Sequence, residues 1–282
     1  MNITLLNNSL NGYSHNIANV IYDKFKNEFI FSNKQWYHFK NHKWIIVKDV
    51  ELKKKISTNI LNDYFEYSSI LNKNYLQNNN LDKNLIYLQL KSVRKIIIKL
   101  RIANFKIRKI MYECEELFYI SKFEEILDYN INLIGFENGV YDLNNLEFRD
   151  GYPEDFISLS TGICYKEYQE NNMLELNNYL SQVMPKQEDK NYILDLFTNC
   201  LTGKRNNKLN IWTGIGDNGK SKLIKLFKLS FGDYFYELPA KLITLKEYQP
   251  SSTIQNEMQF YASKLIGRRI VYFHETNSYT LL

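Results

Sequence analysis

A glycine-rich loop in the last third of this sequence carries its clearest chemical signal. Residues 214–221 match the pattern G-x-x-x-x-G-K-S/T at every defined position. Glycines allow backbone amides to turn towards a phosphate, the lysine then reaches the β- and γ-phosphates, and the serine hydroxyl binds Mg²⁺. The sequence therefore predicts a nucleotide-phosphate site formed by Gly214, Ile215, Gly216, Asp217, Asn218, Gly219, Lys220 and Ser221.

A carboxylate is the second requirement of such a site, because Mg²⁺ must be held and a water molecule polarised. Residues 270–273 are predicted to form a buried strand, and Glu275 follows it. In a parallel α/β sheet, ligand-binding side chains lie beyond the carboxyl ends of the strands. We therefore expect Lys220 and Glu275 to be the catalytic residues, and Ser221 and Glu275 to be the Mg²⁺ ligands. An ordinary glutamate at a strand end is the alternative interpretation of Glu275.

The elements on either side of the loop must position it. Leu209, Ile211 and Trp212 predict a buried strand that ends at the loop. A helix is expected to begin directly after the loop, so that its N-terminal dipole faces the anion, and to end at Gly232. Its apolar face is formed by Leu223, Leu226 and Phe227.

Two upstream segments are rich in strand signals. Two aromatic and β-branched runs within residues 35–49 predict a β-hairpin. Residues 132–165 combine turn residues with strand formers and predict a compact β-rich module with a structural role. Within it, Asn138 and Gly139 are expected to form a hairpin turn with positive φ at both positions.

Residues 85–127 predict a helix with an apolar stripe and a basic face. The stripe consists of Leu90, Val93, Ile97, Leu100, Ile107 and Met111, widened by Ile96, Ala103 and Ile110. The basic residues are Lys91, Arg94, Lys95, Lys99, Arg101, Lys106, Arg108 and Lys109. The basic face either follows a phosphate backbone, with Lys95, Lys99 and Arg101 as candidate DNA contacts, or is the solvated side of a packed helix.

Composition and organisation limit the class of protein. The chain has 282 residues, of which 44% are hydrophobic and 24% charged, and a net charge of +5, which permits a nucleic-acid partner without requiring one. No apolar run approaches a membrane span, so we expect a soluble, intracellular protein. Two helices, 173–183 and 188–201, are expected before the loop, and the polar stretch 166–172 predicts a domain junction.

Three segments resemble one known family. They are LIGFENGVYDLNNLEFRDGYPEDFISLSTGI (133–163), CLTGKRNNKLNIWTGIGDNGKSKLIKLF (200–227) and LIGRRIVYFHETN (265–277). The first is similar to the segment that precedes the helicase, the second to the Walker A loop and the third to the Walker B region of viral superfamily 3 helicases. The chain thus resembles helicase–primase proteins of the poxvirus type, found across large DNA viruses.

This resemblance implies an organisation and a function. It implies a variable N-terminus (1–15), an α+β pre-helicase domain (16–166), and the first part of an α/β P-loop NTPase domain of AAA+-like fold (173–282). It also implies ATP and Mg²⁺ as cofactors, DNA as partner, a hexameric ring as the homo-oligomer, and a viral replication site in the host cell, in the cytoplasm. Relatives continue beyond the Walker B strand, so the resemblance also implies that this chain stops partway through the motor.

The function expected from the sequence is that of the ATP-binding part of a viral replicative DNA helicase. The intact enzyme would couple ATP hydrolysis to DNA unwinding and translocation. The alternative is a non-catalytic DNA-docking or oligomerisation fragment with a vestigial P-loop. A P-loop kinase is disfavoured because no substrate lid follows the Glu275 strand, and a GTPase because no Asn-Lys-x-Asp motif is present.

Overall fold

The computed structural model describes residues 1–77, 80–204, 208–214, 218–239 and 259–273. Contacts divide the chain into two units. Residues 1–40 and 44–124 form unit 1, and residues 41–43 with the described residues from 125 onward form unit 2. Both units combine helices with sheet, which confirms the mixed α and β class. The predicted junction at 166–172 lies within unit 2, and the domains assigned on its two sides stay a prediction.

Unit 1 packs helices around a three-stranded sheet. Its helices are α1 (Ile3–Ser9), α2 (Ser14–Phe25), α3 (Val50–Lys55), α4 (Leu61–Gln77), α5 (Asn80–Arg101), α6 (Ala103–Phe105) and α7 (Met111–Leu117). A π-helical turn, Ile56–Ile60, joins α3 to α4, and another, Lys106–Ile110, joins α6 to α7. The strands are β1 (Phe29–Ser32), β2 (Gln35–Lys40) and β3 (Lys43–Val47), ordered β1-β2-β3. Helix α8 (Phe123–Ile126) spans the change of unit along the chain.

Two-residue turns connect the strands of the β1–β3 sheet. Asn33 and Lys34 (φ 46° and 61°) join β1 to β2, and Asn41 and His42 (φ 50° and 64°) join β2 to β3. Positive φ at both central residues matches the right-handed twist of paired strands, and asparagine tolerates it well. The β-hairpin predicted within residues 35–49 is confirmed.

Helix α5 buries the predicted apolar stripe. Leu90, Val93, Ile96, Ile97, Leu100, Ile110 and Met111 are buried in the unit 1 core. The prediction was wrong for Ala103, which is exposed, because Ile102 leaves the helix (φ −79°, ψ 115°) and the chain restarts out of phase. A continuous helix over 85–127 was also wrong, since α7 ends at Leu117 and α8 begins at Phe123.

Helix α1 lies where the sequence predicts no element. The Asn2 side chain accepts a hydrogen bond from the backbone amide of Leu5 at 3.3 Å and so caps the helix. Leu6 is fully buried, and Ser9 Oγ hydrogen-bonds Tyr64 Oη at 2.7 Å inside the core. This seven-residue helix is too short to be marked by periodicity, and its burial against unit 1 stabilises it.

The buried His38 makes unit 1 sensitive to acid. Its ring stacks on Phe29, with centroids 4.2 Å apart. Burial lowers the pKa of His38 below its ordinary value of 6.5, and the charge of Lys55 lowers it further. The neutral ring therefore contributes stability that is complete above about pH 6.5 and decreases as the pH falls towards the folded-state pKa. We expect the urea concentration at the unfolding midpoint of unit 1 to decrease as the pH is lowered from 7.5 to 5.5. The His38→Gln variant should show a smaller decrease over the same pH range.

Unit 2 contains two sheets and the helices that follow them. Its antiparallel sheet is β4 (Leu133–Phe136), β5 (Gly139–Asp142) and β6 (Glu147–Arg149), and its parallel pair is β7 (Phe235–Leu238) and β8 (Ile270–Phe273). The helices are α9 (Glu170–Val183), α10 (Gln187–Leu201) and α11 (Lys220–Phe231), and residues 259–264 are also helical. The β-rich module, the two helices before the loop and the helix after it are thereby confirmed. The strand predicted at 270–273 is present, but its expected burial was wrong, since its residues are half-buried or exposed.

The hairpin turn predicted at Asn138 and Gly139 lies one residue earlier in the chain. Phe136 pairs with Gly139, so the β4–β5 turn consists of Glu137 and Asn138, and neither has positive φ. Asn138 instead holds the segment after the sheet: it accepts a hydrogen bond from the Tyr165 amide at 2.7 Å and donates to the Tyr165 carbonyl at 3.1 Å. The side chain thus has a bridging role that the dipeptide signal does not reveal.

The predicted buried strand at 209–212 is not formed. Residues 208–214 carry no strand, and Leu209 and Ile211 are 67% and 71% exposed. Among the described residues, β7 pairs only with β8, so no neighbouring strand satisfies the backbone of residues 209–212. An apolar run indicates a preference for burial, but a strand also requires a partner.

Candidate functional site

The N-terminus of α11 is shaped by Gly219. This residue caps the helix with φ 84° and ψ −4°, a left-handed conformation that favours glycine. A Cβ atom at Gly219 would lie 2.9 Å from both methyl carbons of Val183, the last residue of α9. The end of α9 therefore presses on the turn into α11, and only glycine fits between them.

The Lys220 ammonium closes the loop in front of this helix. It donates hydrogen bonds to the Gly214 carbonyl at 3.0 Å and to Asn218 Oδ1 at 2.8 Å. The side chain thus folds back over the helix N-terminus, where unsatisfied backbone amides favour anions. A lysine that holds two oxygen acceptors at a helix N-terminus is placed to bind phosphate oxygens instead.

The surroundings of the loop are basic. The first turn of α11 contains no acidic residue. Ser221 and Lys222 are exposed beside Lys220, whereas Lys228, in the last turn, pairs with Glu237 at 3.1 Å. The first turn thus adds positive charge to the helix dipole at the end that faces the loop, and the negative partner lies at the opposite end.

Helix α11 is anchored by a small core. Leu223 is 1% exposed and packs with Leu180 of α9 and Ile193 of α10. Trp212, just before the loop, packs against the same cluster. Both sides of the loop are therefore fixed to one apolar cluster, which positions the backbone of Gly214 relative to Lys220.

The predicted site is only partly within the described residues. Gly214, Asn218, Gly219, Lys220 and Ser221 lie together around the start of α11. Ile215, Gly216, Asp217 and Glu275 lie outside the described residues, so their predicted roles stay predictions. The strand before Glu275 is present as β8, parallel to β7, although Val271 in it is 40% exposed.

Arg269, which the sequence did not single out, connects the β-rich module to the loop half of unit 2. Its Nη2 atom donates to the carbonyls of Ile131 and Leu133 at 2.9 and 2.8 Å, and Nη1 donates to the Leu201 carbonyl at the end of α10. Its guanidinium lies 5.1 Å from the ring centroid of Tyr234. Burial lowers the pKa of Arg269, and the charges of Tyr234 and Asp128 offset this effect only in part.

Tyr234 and Asp128 complete this junction. The Tyr234 hydroxyl accepts a hydrogen bond from the Gly135 amide at 2.8 Å and donates to the Leu159 carbonyl at 3.2 Å. Burial raises the pKa of Tyr234 far above its ordinary value. Asp128 accepts hydrogen bonds from the amides of Ser158 and Leu159 at 2.8 and 3.0 Å, while burial raises its pKa. These groups are structural, since each is satisfied by neighbouring backbone.

The three candidate DNA contacts of unit 1 differ in their surroundings. Lys99 donates to the Gly12 carbonyl at 3.1 Å and lies 5.3 Å from the Phe105 ring centroid. Arg101 lies over the Phe65 ring at 5.5 Å. Lys95 is exposed on α5. The structure thus places Lys95 and Arg101 at the surface and gives Lys99 a partner within unit 1.

Among the described residues, no group of three or more histidine, cysteine, aspartate or glutamate side chains is arranged to hold a metal ion. None of the described helices is long and apolar enough to traverse a lipid bilayer.

Comparison with known proteins identifies the family. Residues 18–197, more than half of the chain, match the family model described as D5 N terminal like. The chain belongs to this family. The match begins within α2, extends over the rest of unit 1, the β-rich module and most of α10, and ends before the glycine-rich loop.

The curated relatives of this D5 N-terminal-like protein come from large DNA viruses. It is 34% identical to a protein of Acanthamoeba polyphaga mimivirus named "Putative helicase", over 88% of this chain and 26% of the relative. It is 28% identical to an invertebrate iridescent virus 3 protein of the same name, over 81% of this chain and 27% of the relative. An African swine fever virus protein named "Putative primase" is 28% identical over 65% of this chain and 19% of its own length.

The resemblance to viral helicase–primase proteins is therefore confirmed. The chain spans about a quarter of the length of the first two relatives. The match to the mimivirus protein covers 88% of the chain, so it extends over residues 214–221 wherever it begins.

Proposed function

We propose that this chain is the ATP-binding part of a viral replicative DNA helicase. The observation that carries the proposal is the Lys220 ammonium, held over the N-terminus of α11 by Gly214 and Asn218. The names of the relatives support a role in DNA replication. In the intact protein, ATP hydrolysis would drive unwinding of DNA and translocation along it, by an assembly that we propose to be a hexameric ring.

The roles of the loop residues follow from their positions. Lys220 would exchange the Gly214 carbonyl and Asn218 Oδ1 for β- and γ-phosphate oxygens, which are stronger acceptors because they are charged. The α11 amides would face the phosphates, and Gly219 allows the left-handed turn that leads into the helix. The loop fits a phosphate group, since the Lys220 ammonium already holds two oxygen acceptors, the Gly214 carbonyl and Asn218 Oδ1, before the first turn of α11.

Mg²⁺ would be held by few protein groups. The exposed Ser221 hydroxyl lies in the first turn of α11, next to Lys220, and suits an ion that is ligated mainly by phosphate oxygens and water. We propose Glu275 as the carboxylate that binds the ion through water or orients the attacking water. When bound, ATP with Mg²⁺ supplies a phosphoryl group whose charge Lys220 neutralises.

Loss of nucleotide binding in Lys220→Ala tests the proposal. A charge-assisted hydrogen bond contributes about 1.5–3 kcal/mol, so we expect roughly 10- to 100-fold weaker binding of a fluorescent ATP analogue with Mg²⁺. Lys222→Ala is the matched control, because it removes the same charge from an exposed position on the same turn. The control should bind normally, and both variants should retain the wild-type circular dichroism spectrum.

The alternative is a non-catalytic DNA-docking or oligomerisation fragment. One observation supports this alternative: the match to the family model ends at residue 197 and does not include the loop. If the folded wild-type chain binds no nucleotide, or if Lys220→Ala and Lys222→Ala bind it equally, the loop lacks its proposed role and this alternative is favoured.

A further inference from the structure

The outer face of α5 is exposed and chemically unusual for a solvated helix surface. We define it by Tyr87, Leu88, Lys91, Arg94, Lys95 and Ile98, which are all exposed. Tyr87, Leu88 and Ile98 are 57%, 59% and 59% exposed. The opposite side of the helix lies in the unit 1 core, so the six residues share one side of the helix and no part of unit 1 buries them.

The charge on this face has a single sign. No residue of α5 from 83 to 101 is acidic. Within the part of the chain that the structure describes, Lys91, Arg94 and Lys95 have no hydrogen-bonding or ion-pair partner. Lys99 and Lys106, by contrast, donate to Gly12 and Ser57. Lys91, Arg94 and Lys95 are thus the cations that this face offers to a ligand, whereas Lys99 and Lys106 have structural roles.

A merely solvated face would have a different composition. Exposed helix faces usually mix charges of both signs, because glutamate–lysine pairs four residues apart stabilise the helix. They also avoid grouped large apolar side chains. The outer face of α5 differs on both points. Its three charges are all positive, and they are interleaved with a tyrosine, a leucine and an isoleucine. Cations combined with apolar and aromatic surface suit a ligand that has both phosphates and flat bases.

We propose that the outer face of α5 binds single-stranded DNA. Lys91, Arg94 and Lys95 contact successive phosphates, Tyr87 stacks on an unpaired base beside Leu88, and Ile98 contacts a second base about three helical turns further along. A duplex would offer its phosphates to the cations but would hide its bases from the apolar side chains. The choice of DNA rests on the proposed function, whereas the face itself does not depend on nucleotide binding.

Matched charge reversals test the phosphate contacts. Binding of a fluorescent 20-nucleotide oligothymidylate to the full chain is measured by anisotropy, without nucleotide, over a range of salt concentrations. Lys91→Glu/Lys95→Glu should weaken binding about tenfold or more and reduce the slope of log affinity against log salt by about 1.4, which corresponds to two lost phosphate contacts. Lys34→Glu/Lys48→Glu makes the same charge change at exposed positions elsewhere in unit 1 and should have little effect.

A tyrosine substitution tests the stacking contact separately. Tyr87→Ala should weaken binding by roughly 5- to 100-fold, as loss of one stacked base does, and leave the salt slope unchanged. Tyr119→Ala, which removes another exposed tyrosine of unit 1 (56% exposed), should bind as the wild type does.

Three results would overturn the proposal. Equal losses in the two double variants would indicate a general effect of net charge. An unchanged affinity in Tyr87→Ala, together with equal binding of duplex, would remove the single-strand preference. Binding to vesicles rich in phosphatidylserine, with none to the oligonucleotide, would assign the face to a membrane surface. Because Lys220→Ala should retain DNA binding, failure of the ATP proposal would not be mistaken for failure of this one.

Discussion

Gly232→Ala is expected to destabilise unit 2 by about 3–5 kcal/mol, from roughly 1–3 kcal/mol of backbone strain and a similar amount of overpacking. Gly232 ends α11 with φ 51° and ψ −121°, a conformation that side chains rarely adopt. A Cβ atom there would lie 2.2 Å from the Thr161 carbonyl oxygen and 2.8 Å from that of Ser160. Both neighbours are backbone atoms, so the clash cannot be relieved by a rotamer change.

Gly162→Ala is the control for this prediction. Gly162 also has positive φ, 72°, but no atom lies within 4 Å of its Cβ position. The Gly162→Ala variant should therefore lose only about 1–2 kcal/mol of unfolding free energy, from the strain of placing a side chain at positive φ. For both variants, unfolding of unit 2 in urea is followed by hydrogen exchange of peptides from residues 125–165, and the urea midpoints are compared. Equal losses would mean that the close approach of Gly232 to Thr161 contributes nothing.

Arg269→Met should also destabilise unit 2, by about 3 kcal/mol or more. The substitution preserves much of the side-chain volume but removes the donors to the carbonyls of Ile131, Leu133 and Leu201. Hydrogen bonds from a charged donor contribute about 1.5–3 kcal/mol each, so the loss of three exceeds the gain from no longer burying the guanidinium. We expect increased hydrogen exchange in β4 and at the end of α10, measured by mass spectrometry.

Arg269→Lys separates the role of charge from that of geometry. An ammonium keeps the charge but cannot replace the planar fork that reaches both β4 and α10. Its stability should therefore fall between those of the wild type and the methionine variant. If the methionine variant is as stable as the wild type, Arg269 does not hold the two parts together.

Local signals in the sequence predicted much of the fold. The hairpin within residues 35–49 and the stripe on α5 were found because alternation and helical periodicity reflect burial directly. The helix after the loop was found for the same reason. The loop was singled out because glycine, lysine and serine have defined tasks at a phosphate site, and its role stays a prediction. Each of these features depends on residues that are close together in the sequence.

Features that depend on distant partners were not predicted. Arg269 contacts the Ile131 carbonyl across 138 residues, and nothing beside it in the sequence indicates that partner. The strand expected at 209–212 was wrong because a neighbouring strand cannot be inferred from an apolar run alone. Likewise, Lys99 looked like its basic neighbours, although the Gly12 carbonyl engages it in the fold.

The late position of β8 has a consequence for how the chain folds as it is synthesised. Unit 1 has its sheet and helices once residue 124 has been made. The β4–β6 sheet is complete at Arg149, but Arg269, which holds β4 to the end of α10, is added 120 residues later. At about 5–20 residues per second, the sheet waits roughly 6–24 s for it. During that time, the carbonyls of Ile131 and Leu133 lack their Arg269 donors, so we expect the β-rich module to remain open to ribosome-associated chaperones.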